Sequence, residues 1–168
     1  MSQKDFVILD RLTIEDIKSI KEIVESTGFF YDYETDVALE LANEYLAKGV
    51  KSGYYFLFAE DEDKGRMAGY CCYGPIACTE GSYDLYWIVV HKDYQGQGVG
   101  KALLKEAEQR IAAVGGRGIY VETASRPQYA PTHHFYKKNG YQVEAVLKDF
   151  YSKGDDKLIF VKRIAAMK

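Results

Sequence analysis

Hydrophobic and polar positions recur along this chain with two different periods, and the switches between them mark the elements. Phe6-Val7-Ile8-Leu9 is a short unbroken apolar run and predicts a strand. From Thr13 the spacing becomes helical. Ile14, Ile17, Ile20 and Val24 fall three and four apart, Asp16 follows Thr13 as in a capping box, and Gly28 ends the run. A second helix is predicted from near Thr35 to Lys48, with Ala38, Leu41, Ala42 and Tyr45 on one face and Gly49 closing it. The period then shortens. Tyr54 to Glu60, Arg66 to Ile76 and Ser82 to His91 are rich in aromatic and β-branched residues, with turn material between them, which predicts an antiparallel meander.

Helical spacing returns at Val99 to Val114, where Val99, Leu103, Ala107, Ile111 and Val114 form an apolar stripe before Gly115. Gly118 to Thr123 predicts a strand and Pro131 to Asn139 a short helix ended by Gly140. Tyr141 to Tyr151 and Lys157 to Ile164 predict two last strands around a Gly154-Asp155-Asp156 turn. The order is β-α-α-β-β-β-α-β-α-β-β, an α/β chain with one mixed sheet. With no repeat, low-complexity stretch or linker, residues 1–168 read as a single domain.

Composition narrows the functional classes. A formal net charge of −3 argues against a broad electrostatic footprint for nucleic acid. No run approaches the roughly 20 apolar residues that span a bilayer. Met1-Ser2-Gln3-Lys4-Asp5 lacks the basic-then-apolar pattern of a secretory leader, so a cytoplasmic location is expected. Cys71 and Cys72 are neighbours on a predicted strand and point to opposite faces, so with Cys78 they read as reduced core thiols, not metal ligands.

The passage with the most chemistry in it is Ile88-Val89-Val90-His91-Lys92-Asp93-Tyr94-Gln95-Gly96-Gln97-Gly98-Val99-Gly100-Lys101. A strand runs into a glycine-rich turn and straight on into an amphipathic helix. Glycines admit close backbone approach, and the unpaired N–H groups and positive dipole end of a helix start suit phosphate oxygens. A P-loop would need glycine at Gln95 and a hydroxyl at Ala102; a dinucleotide fingerprint would need glycine at Lys101 or Leu103. Both fail, which leaves a different phosphate site or a plain structural corner.

Gln95-x-x-Gly98-x-Gly100 resembles the acetyl-CoA signature of the GNAT superfamily of N-acetyltransferases, Gln/Arg-x-x-Gly-x-Gly/Ala, and the element order resembles that fold from end to end. The resemblance implies a GNAT-like acyl-CoA N-acyltransferase fold. It further implies acetyl-CoA as cosubstrate, no metal, and an amine as acceptor. Backbone groups of Ile88, Val89 and Val90 would then meet the pantetheine arm, Gly96, Gln97, Gly98, Val99, Gly100 and Lys101 would form the pyrophosphate cradle, and Gln95 would join them as a cofactor-binding residue. Many relatives dimerise, so a homodimer is compatible with it.

Amine attack on a thioester needs a neutral nucleophile, a polarised carbonyl and a proton for the departing thiolate, with proximity supplying much of the gain. Phe135-Tyr136-Lys137-Lys138-Asn139-Gly140-Tyr141 resembles the family's Phe-Tyr-x-x-x-Gly-Phe/Tyr segment, which implies Tyr136 as the acid. A phenol, with a pKa of about 10, keeps its proton at neutral pH. Glu122 on the fifth strand and Asp84 on the fourth stand where family members carry a basic carboxylate, and Glu122 ranks slightly ahead. The Asn by which the family contacts the cofactor is missing; seven residues before Tyr136 stands Tyr129, and either Tyr129 or Gln128 would replace it.

Other features have plain structural readings beside the functional ones. The tyrosines of the meander suit a sheet, though with Phe29-Phe30-Tyr31 they could line an acceptor pocket, and Trp87 reads as core. His133 and His134 read as solvated or capping residues, and Asp149, Asp155, Asp156 and Lys157 as hairpin material. The function expected is acetyl transfer to a primary amine on a small molecule or protein. The alternative is a CoA-sensing or partner-binding module without turnover.

Overall fold

The computed structural model describes residues 6–165, so the leader reading of Met1 to Asp5 lies outside the described residues. The element order is the one the patterning predicts: β1 (Val7–Leu9), α1 (Asp16–Ser26), α2 (Asp32–Lys48), β2 (Tyr55–Asp61), β3 (Arg66–Pro75), β4 (Ser82–Val90), α3 (Val99–Ala113), β5 (Gly118–Ala124), α4 (Ala130–Lys138), β6 (Gln142–Ser152) and β7 (Asp155–Arg163). The strands lie in the order β1-β2-β3-β4-β5-β7-β6 in a seven-stranded mixed sheet. Contacts divide the chain into two compact units. One runs up to Gly74 and includes Trp87–Gln109; the other comprises Pro75–Tyr86 and Arg110 onward.

In the first unit β1 and β2 pair antiparallel, as do β2 and β3, with a bulge at Ala59/Glu60. Phe56, Leu57, Phe58 and Ala59 are all buried, as a strand covered on both faces requires. Phe56 and Phe58 share a face with Tyr70 and Cys72 and pack against Ile20, Ile23 and Val24 of α1 and Ala38 and Ala42 of α2. Ile14, read as part of the α1 stripe, is 68% exposed, because α1 begins two residues after it. Thr13 sits outside the helix, its N–H donating to Asp16 Oδ2 at 2.7 Å. α2 starts three residues before its predicted Thr35, where the Tyr31 N–H donates to the Glu34 carboxylate at 2.8 Å. Trp87 packs edge-on against Phe30 beside the core, with ring centroids 5.2 Å apart.

Tyr70 is fully buried, and its hydroxyl has no hydrogen-bond partner among the described residues. A buried, unsatisfied hydroxyl costs free energy, and burial raises its pKa well above the phenol value, with Cys72 and Cys71 adding to the effect. Tyr70→Phe keeps the ring stacked on Phe56 and Phe58 and is expected to stabilise the protein by about 1 kcal/mol. That should raise Tm by roughly 3 °C in a thermal melt. A fall in Tm would mean that the hydroxyl is satisfied in solution, for instance by water.

Gly69, on the opposite face of β3, has a different role. A Cβ there would lie 2.8 Å from the Val89 carbonyl oxygen, 3.1 Å from Val99 Cγ1 and 3.3 Å from Val90 Cα. Backbone cannot yield as a side chain can, so the absence of a side chain at 69 lets β4 and the start of α3 lie where they do. Gly69→Ala is expected to cost about 1–3 kcal/mol, read as a lower urea midpoint at unchanged slope. An unchanged midpoint would mean that β4 shifts freely.

In the second unit β5 pairs antiparallel with β7 from Gly118↔Arg163 to Ala124↔Lys157, and β7 pairs in turn with β6. β4 joins β5 in parallel over Ser82↔Gly118, Tyr83↔Ile119 and Asp84↔Tyr120. The register ends there, although β5 runs on to Ala124. The α3 stripe holds for Val99, Leu103, Ala107 and Ile111, all buried, but Val114 is 71% exposed because the helix stops at Ala113. The final turn is Lys153-Gly154; Asp155 and Asp156, read as turn residues, belong to β7. Cys71 and Cys72 are buried, whereas Cys78 is exposed and not a core thiol. Among the described residues no helix is long and apolar enough to cross a membrane.

Candidate active site

The glycine turn of the first unit is built on bonds at the end of β4. The His91 N–H donates to Ala68 O at 2.8 Å, and the His91 carbonyl accepts from the Tyr94 N–H at 2.9 Å. The Tyr94 side chain is buried and donates its hydroxyl to the buried Asp61 carboxylate at 2.9 Å. Arg66 Nη2 donates to His91 Nε2 at 2.8 Å and to Glu22 at 2.9 Å. Burial first, and then the Arg66 charge, lower the His91 pKa, which fits a neutral ring accepting from a guanidinium. Gln97 then ties the turn to itself, its side-chain amide donating to Asp93 O at 2.9 Å. Gln95 is directed back toward Val90 O at 3.4 Å.

Gly96 has φ +74° and Gly98 φ +84°, left-handed backbone that other residues rarely adopt. A Cβ at either would have nothing within 4 Å, so the turn presents bare backbone outward. Gln95, Gly96, Gln97, Gly98 and Lys101 are exposed, whereas Val99 is buried and anchors the helix. The first α3 bond runs from the Ala102 N–H to Gly98 O at 3.0 Å. The N–H groups just before it therefore precede any carbonyl one turn back and lie at the positive end of the helix dipole. Ile88, Val89 and Val90 form the last turn-side residues of β4, with Val89 facing the core.

The second unit holds the candidate chemical groups. Asp84 stands opposite Tyr120 in the parallel register, and Glu122 lies two residues further along β5, so both project from one sheet face. Burial raises the Asp84 pKa, Glu122 raises it further, and Lys157 opposes them. Lys157, which the sequence assigns to the terminal hairpin, joins them. It pairs with Ala124, two residues from Glu122, so it emerges diagonally on the same face. Its Nζ lies 2.7 Å from Glu122 Oε2 and 4.0 Å from the Phe150 ring centroid; its side chain is only 12% exposed against 51% for Glu122. The signal existed in the sequence as alternation along β7, but only the β5–β7 register reveals it.

Tyr136 belongs to the other face. It is buried on α4, with its ring centroid 5.6 Å from Phe160 and 5.5 Å from Tyr141, and Phe160 pairs with Val121. His133 joins it there, with Nε2 2.9 Å from Ala124 O and 3.0 Å from Thr123 Oγ1, so it has a structural anchorage. Tyr129 stacks on His133 at 6.4 Å, with the Arg126 guanidinium 5.4 Å from its ring; Arg126 Nε in turn lies 3.1 Å from Asp155. Gln128 is exposed in the short turn before α4. Among the described residues no group of three or more His, Cys, Asp or Glu could hold a metal ion.

Comparison with known proteins converges on one family. The model of the acetyltransferase (GNAT) domain matches residues 52–143. A solved structure from Desulfovibrio desulfuricans, assigned to the GNAT family of acetyltransferases, is 45% identical, with a TM-score of 0.92 over 96% of this chain and 100% of that one. An uncharacterized N-acetyltransferase of Methanocaldococcus jannaschii is 26% identical over 157 residues, 94% of this chain and 92% of that protein. A Thermoplasma acidophilum N-acetyltransferase solved with coenzyme A shares the fold at 22% identity, with a TM-score of 0.73 and coverage of 95% and 99%. A mixed sheet with a glycine turn opening α3 is an acetyltransferase architecture, and this chain belongs to the GNAT family.

Proposed function

We propose that the protein transfers the acetyl group of acetyl-CoA to a primary amine by direct attack, without an acyl-enzyme intermediate. The observation that carries this is the bare turn at Gly96 and Gly98 at the head of α3, within the sequence Gln95-x-x-Gly98-x-Gly100 of a GNAT domain. Coenzyme A bound to the Thermoplasma relative supports the same ligand here. The N–H groups from Gly96 to Lys101 hold the pyrophosphate, with Gln95 bracing the turn. Ile88, Val89 and Val90 lend backbone groups to the pantetheine, and Tyr129 takes the place of the family's Asn.

In the reaction a C–N bond forms at the thioester carbon and the C–S bond breaks. The nitrogen arrives as an ammonium and loses two protons on the way to the amide, while the leaving thiolate gains one and one is released to solvent. Asp84 and Glu122 bind the arriving ammonium and take its first proton through water, while Tyr136 donates to sulfur and recovers the second through solvent. The test is calorimetric titration with acetyl-CoA, followed by assay against an amine panel. Binding with turnover is expected. No binding at millimolar acetyl-CoA overturns the proposal, and binding without turnover favours a CoA-sensing module.

A further inference from the structure

We propose that Lys157 is a positioning residue: it pins Glu122 and thereby lets two neighbouring carboxylates stand ready for a cationic acceptor. This deepens the acetyl-transfer proposal and rests on it. The geometry is specific. Lys157 is mostly buried, Nζ is 2.7 Å from Glu122 Oε2, and the Phe150 ring covers the ammonium at 4.0 Å. A carboxylate on one side and an aromatic face on another is the surrounding an ammonium ion prefers, and here the chain's own amine occupies it.

Asp84 and Glu122 project from the same face, and without a cation beside them one would tend to hold a proton. The charged groups acting on Asp84 are Glu122 from β5 and Lys157 from β7, with Tyr120 opposite it in the register. Lys157 cancels one of the two negative charges, which leaves the pair net −1. That value matches a single ammonium. Fixing Glu122 also spares the pair the entropy of ordering an exposed side chain on each encounter.

Lys157 opposes protonation of Asp84, so Lys157→Met should raise the Asp84 midpoint, and Lys157→Arg should restore it. Glu122→Gln should lower it, because a repelling charge goes and Lys157 is released toward Asp84. Side-chain carboxyl carbon NMR reads these midpoints in the folded protein, with Asp84→Asn to assign the resonance. In the acceptor assay the acid limb of kcat/KM should move up with the midpoint in Lys157→Met, with a loss of roughly tenfold below it.

An Asp84 midpoint unmoved in folded Lys157→Met overturns the proposal, as does a midpoint that rises while the acid limb stays put. A melt on each variant separates both from simple unfolding, and Glu122→Gln carries the test alone if Lys157→Met does not fold. A wild type that binds no acetyl-CoA overturns the transfer proposal instead, and the carboxyl titration then decides the effect of Lys157 on the two carboxylates alone.

Discussion

Gly98→Glu is expected to weaken acetyl-CoA binding by roughly a hundredfold or more in calorimetric titration, while the protein still melts cooperatively. Two effects act together. The variant carboxylate would stand where bare backbone meets the pyrophosphate. Unit charges at 4 Å repel by about 4 kcal/mol at an effective dielectric near 20, a figure that screening at an exposed turn reduces. The backbone also resists, since φ is +84° at this position and a left-handed non-glycine residue costs roughly 1–2 kcal/mol. Lys101→Glu separates the two effects. It puts negative charge on the exposed first turn of α3 without touching the glycines, and should cost about tenfold. Full affinity in folded Gly98→Glu would rule out this turn as the phosphate site.

Tyr136→Phe is expected to lower kcat by roughly a hundredfold with little change in the acetyl-CoA KM. Only one oxygen is removed. The ring keeps its contacts with Phe160 and Tyr141, so stability should change by less than about 1 kcal/mol. A loss of kcat without a loss of Tm is the signature of a proton donor. If kcat is unchanged, the thiolate takes its proton from water and Tyr136 is a core residue of α4.

What the sequence made legible was local. The α3 stripe, the meander and the glycine turn each occupy a short stretch with its own period, and their bounds fall within a residue or two of prediction. Misses gather where a pattern outruns its element, as with Ile14 before α1 and Val114 beyond α3. Side-chain periodicity cannot see where a cap or a helix stop ends the bonding. The site divides along the same line. Gln95-x-x-Gly98-x-Gly100 is contiguous and could be found by spacing alone. Lys157 could not, because its partner Glu122 is 35 residues away and meets it only through the β5–β7 register. Nor does spacing reveal that Tyr136 and the carboxylates occupy opposite faces.

That register has a consequence for how the molecule is made. β7 enters the sheet between β5 and β6, so an interior strand follows both of its neighbours in the chain. Until β7 has been made, β5 and β6 expose edges that only β7 can cover. An uncovered strand edge is a template for other chains. Non-local pairing of this kind is slow, since a long loop must close before any contact repays it. The unit bearing Asp84, Glu122 and Tyr136 is therefore expected to fold only once β7 has left the ribosome, and to depend on chaperones when synthesis stalls before it.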